Sequence, residues 1–163
     1  TPIDLTYMPY THGLAGSTAW ALGAAALTAL VTPAGRRAVD ALIIGALVLS
    51  HWFLDLIVHR QDLPLVHDDG EKLGFGLWDQ PELVVPLELG LFFAGFWLFM
   101  RATQPRGMLG RIVPWVVVGV LLTVQGINWF TPPAPDQATF TALGLGVYFG
   151  LAAFAWALDR VRV

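Results

Sequence analysis

Five apolar stretches, near 13-31, 38-58, 82-100, 112-130 and 139-158, dominate this 163-residue sequence and leave it few ways to fold. A hydrocarbon core about 30 Å thick takes about 20 residues of α-helix to cross, and each stretch is close to that length. The runs are continuous, which fits helices that satisfy their own backbone and excludes the alternating rhythm of a membrane β-barrel. Composition agrees: 56% of the residues are apolar and 13% charged, with a mean hydropathy of +0.63, outside the range of a soluble domain. The expected fold is all-α, a polytopic membrane helical bundle of about five transmembrane helices, with 1-163 forming a single transmembrane domain. With no cysteine in the chain, disulfides and thiolate metal ligands are excluded.

Charge gives an expected orientation. Arg36 and Arg37 follow the first run, Arg101, Arg106 and Arg111 lie between the third and fourth, and Arg160 and Arg162 follow the fifth; Arg60 and Lys72 fall on the other side. The positive-inside rule assigns the Arg-rich side to the cytoplasm. The N-terminus and the 59-81 and 131-138 loops are then outside, and the C-terminus is cytoplasmic. The sequence starts at Thr1 without an initiator Met, a basic segment or an apolar leader. An outward start without an export signal leads us to expect a further helix upstream.

The second run carries the chemistry. His51, Asp55 and His59 recur every four residues, so on a continuous helix they fall within an arc of about 80°. Ionisable residues inside membrane helices are costly and face protein or a water-filled cavity. The i, i+4 spacing is that of helical zinc sites, but His51 and His59 are about 12 Å apart along a straight axis. Asp55 with one His is therefore the natural pair for one ion. The other His would bind a second ion, orient a ligand or move protons.

His12 stands at the mouth of the first run, after Thr11, a plausible helix N-cap. That run is rich in small residues, from Gly13 and Gly16 to Ala26, which let membrane helices approach closely. Joined by a short turn at Gly35-Arg36-Arg37, the first two helices form an antiparallel pair that brings His12 to the end carrying His51, Asp55 and His59. A solvated interfacial His is the competing reading for His12.

Other polar groups are less specific. His67-Asp68-Asp69 offers further ligands or a general base at Asp68, and reads equally as a solvated turn before Gly70. Gly74-Phe75-Gly76-Leu77-Trp78 suggests a tight interfacial turn with Trp78 in the aromatic belt. Asp79 and Glu82 have the spacing of a capping box. Glu88 lies about 9 Å deeper than Glu82 by helical rise, one turn past Pro86; it is a buried packing carboxyl or a carboxylate facing a polar cavity. Gln125 and Asn128 share a face, suited to interhelical hydrogen bonding, and Gly146-x-x-x-Gly150 suits helix packing. The 131-138 connector is stiffened by prolines.

Pro9-Tyr10-Thr11-His12, Ser50-His51-Trp52 through Asp55 to His59-Arg60, Asp62-Leu63-Pro64-Leu65 and Lys72-Leu73-Gly74-Phe75-Gly76-Leu77-Trp78 together resemble the inner-membrane metal-dependent hydrolases, a LexA-regulated, membrane-bound hydrolase-like family. The resemblance runs along the whole chain and is most specific over 9-16 and 50-78. It implies a multi-pass protein of the bacterial cytoplasmic membrane with His12, His51, Asp55 and His59 at a polar site. Two departures stand out. Gly13 occupies a position where relatives commonly carry Ser, and their additional N-terminal helix bearing a His and an Asp is missing from this sequence.

Two functions of different class follow. The first is a hydrolase with a divalent ion, zinc by type, held by His12, His51, Asp55 and His59 at the outer membrane-water interface, with Asp68 or Glu88 as general base and a lipid-type substrate. The second is a non-catalytic accessory subunit of a larger membrane complex, packing through its small-residue faces or contacting a pigment or haem through a membrane His. Proton-coupled transport through Asp55 and Glu88 is a third reading, weakened by the lack of an internal repeat. Nothing in the sequence suggests a nucleic-acid partner.

Overall fold

In the computed structural model, which describes residues 7-132, 134 and 136-163, the chain is all-α. Its helices are α1 (Leu14–Val31), α2 (Arg37–Val58), α3 (Pro81–Ala102), α4 (Leu109–Phe130) and α5 (Gln137–Val161). All five are long and apolar enough to cross a membrane, and their ends differ from the expected spans by at most three residues. A two-residue antiparallel ladder, β1 (Leu63–Pro64) against β2 (Lys72–Leu73), and a 3-10 turn at Leu77–Asp79 lie between α2 and α3. Residues 1-6 of the expected outer N-terminal segment, and Pro133 and Pro135 of the expected stiff connector, lie outside the described residues.

The described residues fall into two compact units, 7-88 and 89-163. In the first, α1 and α2 pack closely because their contact is built from small residues. A side chain at Gly45 would meet the Ala25 methyl at 3.2 Å and the Ala21 carbonyl at 3.4 Å. Such a seam exchanges bulky side chains for close backbone approach, the source of packing energy where lipid has replaced water. The connection turns on Pro33, whose carbonyl accepts from the amides of Arg36 and Arg37.

Two backbone clasps finish this unit. The 8-12 turn folds onto the start of α1, where Gly13 and Gly16 leave room for the carbonyls of Pro9 and Tyr10. The expected cap by Thr11 is not made. Gly13 holds the cap position, while the Thr11 hydroxyl bonds the His12 ring. One amide of the first helical turn, Ala15 N, instead reaches the Leu65 carbonyl beside the ladder, at 2.9 Å, satisfying a donor that a helix start leaves open. Leu63 and Pro64 are fully buried beneath it.

The second clasp closes on the end of α2. Phe75 N donates to Leu56 O and Gly76 N to His59 O, at 2.9 and 2.7 Å. Gly74 passes so close to the Arg60 carbonyl that no Cβ fits there. The capping box expected at Asp79 and Glu82 is also absent: both Asp79 carboxylate oxygens accept from Arg60. Gln80 takes the cap position through its carbonyl, which accepts from Leu83 and Val84, and Pro81 opens α3, where a missing N–H costs nothing.

In the second unit the chain end returns to the α3–α4 connection. Val163 and Gln104 exchange backbone hydrogen bonds, and Arg106 N donates to Val161 O. The buried Arg162 guanidinium donates to the carbonyls of Met100, Thr103 and Gly110 and to the Thr103 hydroxyl. Counted in the sequence among the charges that set the orientation, Arg162 is also an internal clamp on the end of α3 and the start of α4. At the start of α5, Asp136 caps by accepting from the amide and hydroxyl of Thr139 at 2.8 and 2.9 Å, which draws its carboxyl below the usual range.

Candidate metal centre

The close α1–α2 pair brings His12, His51 and Asp55 to one point, each offering a ligand atom within 4.8 Å of the other two. Asp55 Oδ2 lies 3.1 Å from His51 Nε2 and 3.8 Å from His12 Nε2. Ligand atoms on a tetrahedral zinc, with bonds of about 2.0–2.1 Å, stand about 3.3 Å apart. The two separations from Asp55 bracket that edge, and the two imidazoles offer nitrogens within 4.8 Å of each other.

The decisive detail is at Asp55. Its Oδ2 is buried and makes no hydrogen bond, even with an imidazole nitrogen 3.1 Å away. A buried carboxylate oxygen without a donor is costly. It fits a geometry in which carboxylate and imidazoles address a common centre rather than one another.

The surroundings suit ligation. The Thr11 hydroxyl meets His12 Nδ1 at 2.8 Å, which fixes the ring and leaves Nε2 towards the centre, as outer partners of metal-binding imidazoles do. Burial, reinforced by the neighbouring His51 and His59, lowers the His12 pKa below the ordinary histidine value against the opposing pull of Asp55. The shift favours the neutral imidazole, the form that binds metal.

His59 takes a different part. Helix α2 ends at Val58, and His59 continues in an extended conformation, with φ −65° and ψ 150°. Its amide still donates to the Asp55 carbonyl at 2.8 Å, and the chain leaves the helix only beyond it. Nδ1 is 3.0 Å from Asp62 Oδ1, and the buried ring lies between those of Trp78 and His12, with centroids 4.4 and 5.9 Å away. His59 buttresses His12 and is not among the three converging ligands. Its partner Asp62 is a site residue that the sequence reading passed over; the i, i+3 spacing from His59 was the available signal.

Of the two candidate general bases, Glu88 accepts from Trp78 Nε1 at 3.4 Å, which links it through the Trp78 ring to His59. Asp68 receives Lys72 at 3.2 Å and belongs to the turn beyond the ladder. His67 lies in the same turn, its carbonyl accepting from Gly70 N.

No protein-family model, curated protein or solved structure matches this chain.

Proposed function

We propose that the protein is a membrane-embedded, metal-dependent hydrolase whose divalent ion, zinc by type, is held by His12, His51 and Asp55. The observation that carries this reading is the buried, unbonded Asp55 Oδ2 beside two imidazole nitrogens. Three protein ligands leave a fourth position open, the pattern of catalytic rather than structural zinc. A bound ion there supplies a Lewis acid that brings the pKa of a water towards neutrality and polarises a carbonyl or phosphoryl oxygen. Thr11 and His59 orient His12, and Asp62 orients His59. Glu88, tied in through Trp78, is our candidate for the proton acceptor.

The resemblance of the 9-16 and 50-78 segments to the inner-membrane hydrolases supports the same reading. So does the charge asymmetry, which on our proposal puts the site on the outer side of a bacterial cytoplasmic membrane. The test is turnover of a bacterial lipid extract by the protein in vesicles. Product release that stops with a chelator, returns with Zn²⁺ and is lost in Asp55→Ala supports the enzyme. Full metal loading without turnover, together with co-purification in a larger assembly, would favour the accessory-subunit reading.

A further inference from the structure

Two helices of the 89-163 unit end alike. Trp97 and Arg101 close α3, Trp156 and Arg160 close α5, and each arginine is the last residue but one of its helix. In both pairs the i, i+4 spacing lays the guanidinium over the indole, 4.7 Å from the ring centroid at Arg101 and 4.9 Å at Arg160. A guanidinium stacked in this way gives one face to the ring and keeps its N–H edge for an acceptor. Arg101 and Arg160, like Arg106 and Arg111, are exposed and make no ion pair or side-chain hydrogen bond among the described residues.

The four arginines are gathered by contacts inside their own unit. The chain end pairs with the α3–α4 connection at Gln104 and Arg106, and the buried Arg162 ties the end of α3 to the start of α4. Gly110, in the first turn of α4, lies so close to the Val161 carbonyl that no Cβ fits. Asp159 is the one acidic side chain at this end, since Asp136 caps the opposite end of α5. Four guanidiniums thus stand against one carboxylate.

By helical rise α3 and α5 are about 33 and 38 Å long, more than a hydrocarbon core of about 30 Å. Their terminal arginines reach the headgroup level, and the tryptophans one turn inside them suit the aromatic belt. A guanidinium takes phosphate oxygens through two parallel N–H bonds, and basic side chains gathered at a membrane surface draw anionic lipids. We propose that this end of the 89-163 unit binds the phosphate headgroups of anionic lipids, with the Trp-stacked Arg101 and Arg160 as its anchors. The metal centre belongs to the other unit and plays no part in this binding.

The whole protein is reconstituted in phosphatidylcholine vesicles and probed with spin-labelled phosphatidylglycerol and spin-labelled phosphatidylcholine. The motionally restricted fraction of each spectrum measures association. Phosphatidylglycerol is expected to associate about fivefold more strongly, and about 1 M NaCl should remove the preference. The double variant Arg101→Gln/Arg160→Gln should lower it to within about twofold, whereas Arg36→Gln/Arg37→Gln, in the other unit, should keep it. If the first variant fails to fold by circular dichroism, Arg106→Gln/Arg111→Gln takes its place with the same expected loss. Trp97→Leu/Trp156→Leu keeps every charge and should still weaken the preference about twofold.

Equal association of the two lipids with the parent, a preference that the Arg101 and Arg160 variant retains, or an equal loss in the Arg36 and Arg37 variant overturns the proposal. An unchanged preference in the Trp97 and Trp156 variant assigns the effect to net charge alone and overturns the anchors. Displacement of phosphatidylglycerol by inorganic phosphate beyond that by chloride at equal ionic strength marks a site for free phosphate and overturns the lipid.

Discussion

Asp55 bears an unbonded carboxylate oxygen in a buried place, a cost that folding alone gives no reason to retain. Asp55→Asn should therefore leave the metal-free protein at least as stable as the parent, by thermal unfolding in detergent. The parent alone should gain from Zn²⁺, by about 2.7 kcal/mol at a hundredfold excess over Kd; an equal gain in the variant would remove Asp55 from the ligand set. His12 adds a pH dependence. Because its pKa is lowered on folding, the folded protein binds this proton less readily than the unfolded chain. Stability is then fully present above the ordinary histidine value of about 6.5 and declines as pH falls towards the folded value. A His12 NMR titration in the metal-free protein should show a midpoint below 6.5; one at or above it would contradict the burial described for the ring.

At the scale of elements, the sequence disclosed the pairing of α1 with α2 because small residues and a short turn are local signals. It also disclosed the His51–Asp55 pair, because both residues lie within a continuous helix. His59 was read as a ligand or as a residue that orients one, and its contacts with Asp62, Trp78 and the His12 ring suit the second part. The Thr11 and Asp79 caps were misread. Each has cap chemistry, but the Thr11 hydroxyl goes to His12 and the Asp79 carboxylate to Arg60, a residue 19 positions away. Arg162 was legible only as a charge, since its burial follows from the chain end pairing with Gln104. Arg162→Ala strands the carbonyls it serves and should destabilise the Leu89–Val163 unit by about 3 kcal/mol. Hydrogen exchange at the amides of Thr103, Gln104 and Arg106 reports this, and unchanged protection there would show that the clamp is dispensable. Gly74→Ala should shift the second clasp away from Arg60 and weaken metal binding through His59 and His12, with α1 and α2 intact by circular dichroism. Unaltered metal affinity in that variant would disconnect the clasp from the centre.

For the whole molecule, hydropathy was enough to give the fold class, since five long apolar helices are what a bilayer demands of such a sequence. The orientation read from arginine placement is open to direct measurement because the chain has no cysteine. In Gln61→Cys and Arg106→Cys the new thiols should react with an impermeant maleimide on opposite faces of the membrane, that at position 61 from outside. Labelling of both from one face would overturn the assignment. The central claim is that this membrane protein carries a metal centre built from two helices, and elemental analysis of the purified protein after Zn²⁺ loading and exhaustive dialysis tests it most directly. The parent and His59→Ala should retain zinc, about one ion per chain, with weaker affinity in His59→Ala, while His12→Ala, His51→Ala and Asp55→Ala should each lose it. A parent chain that retains no zinc, or an Asp55→Ala chain that retains it fully, would contradict the account.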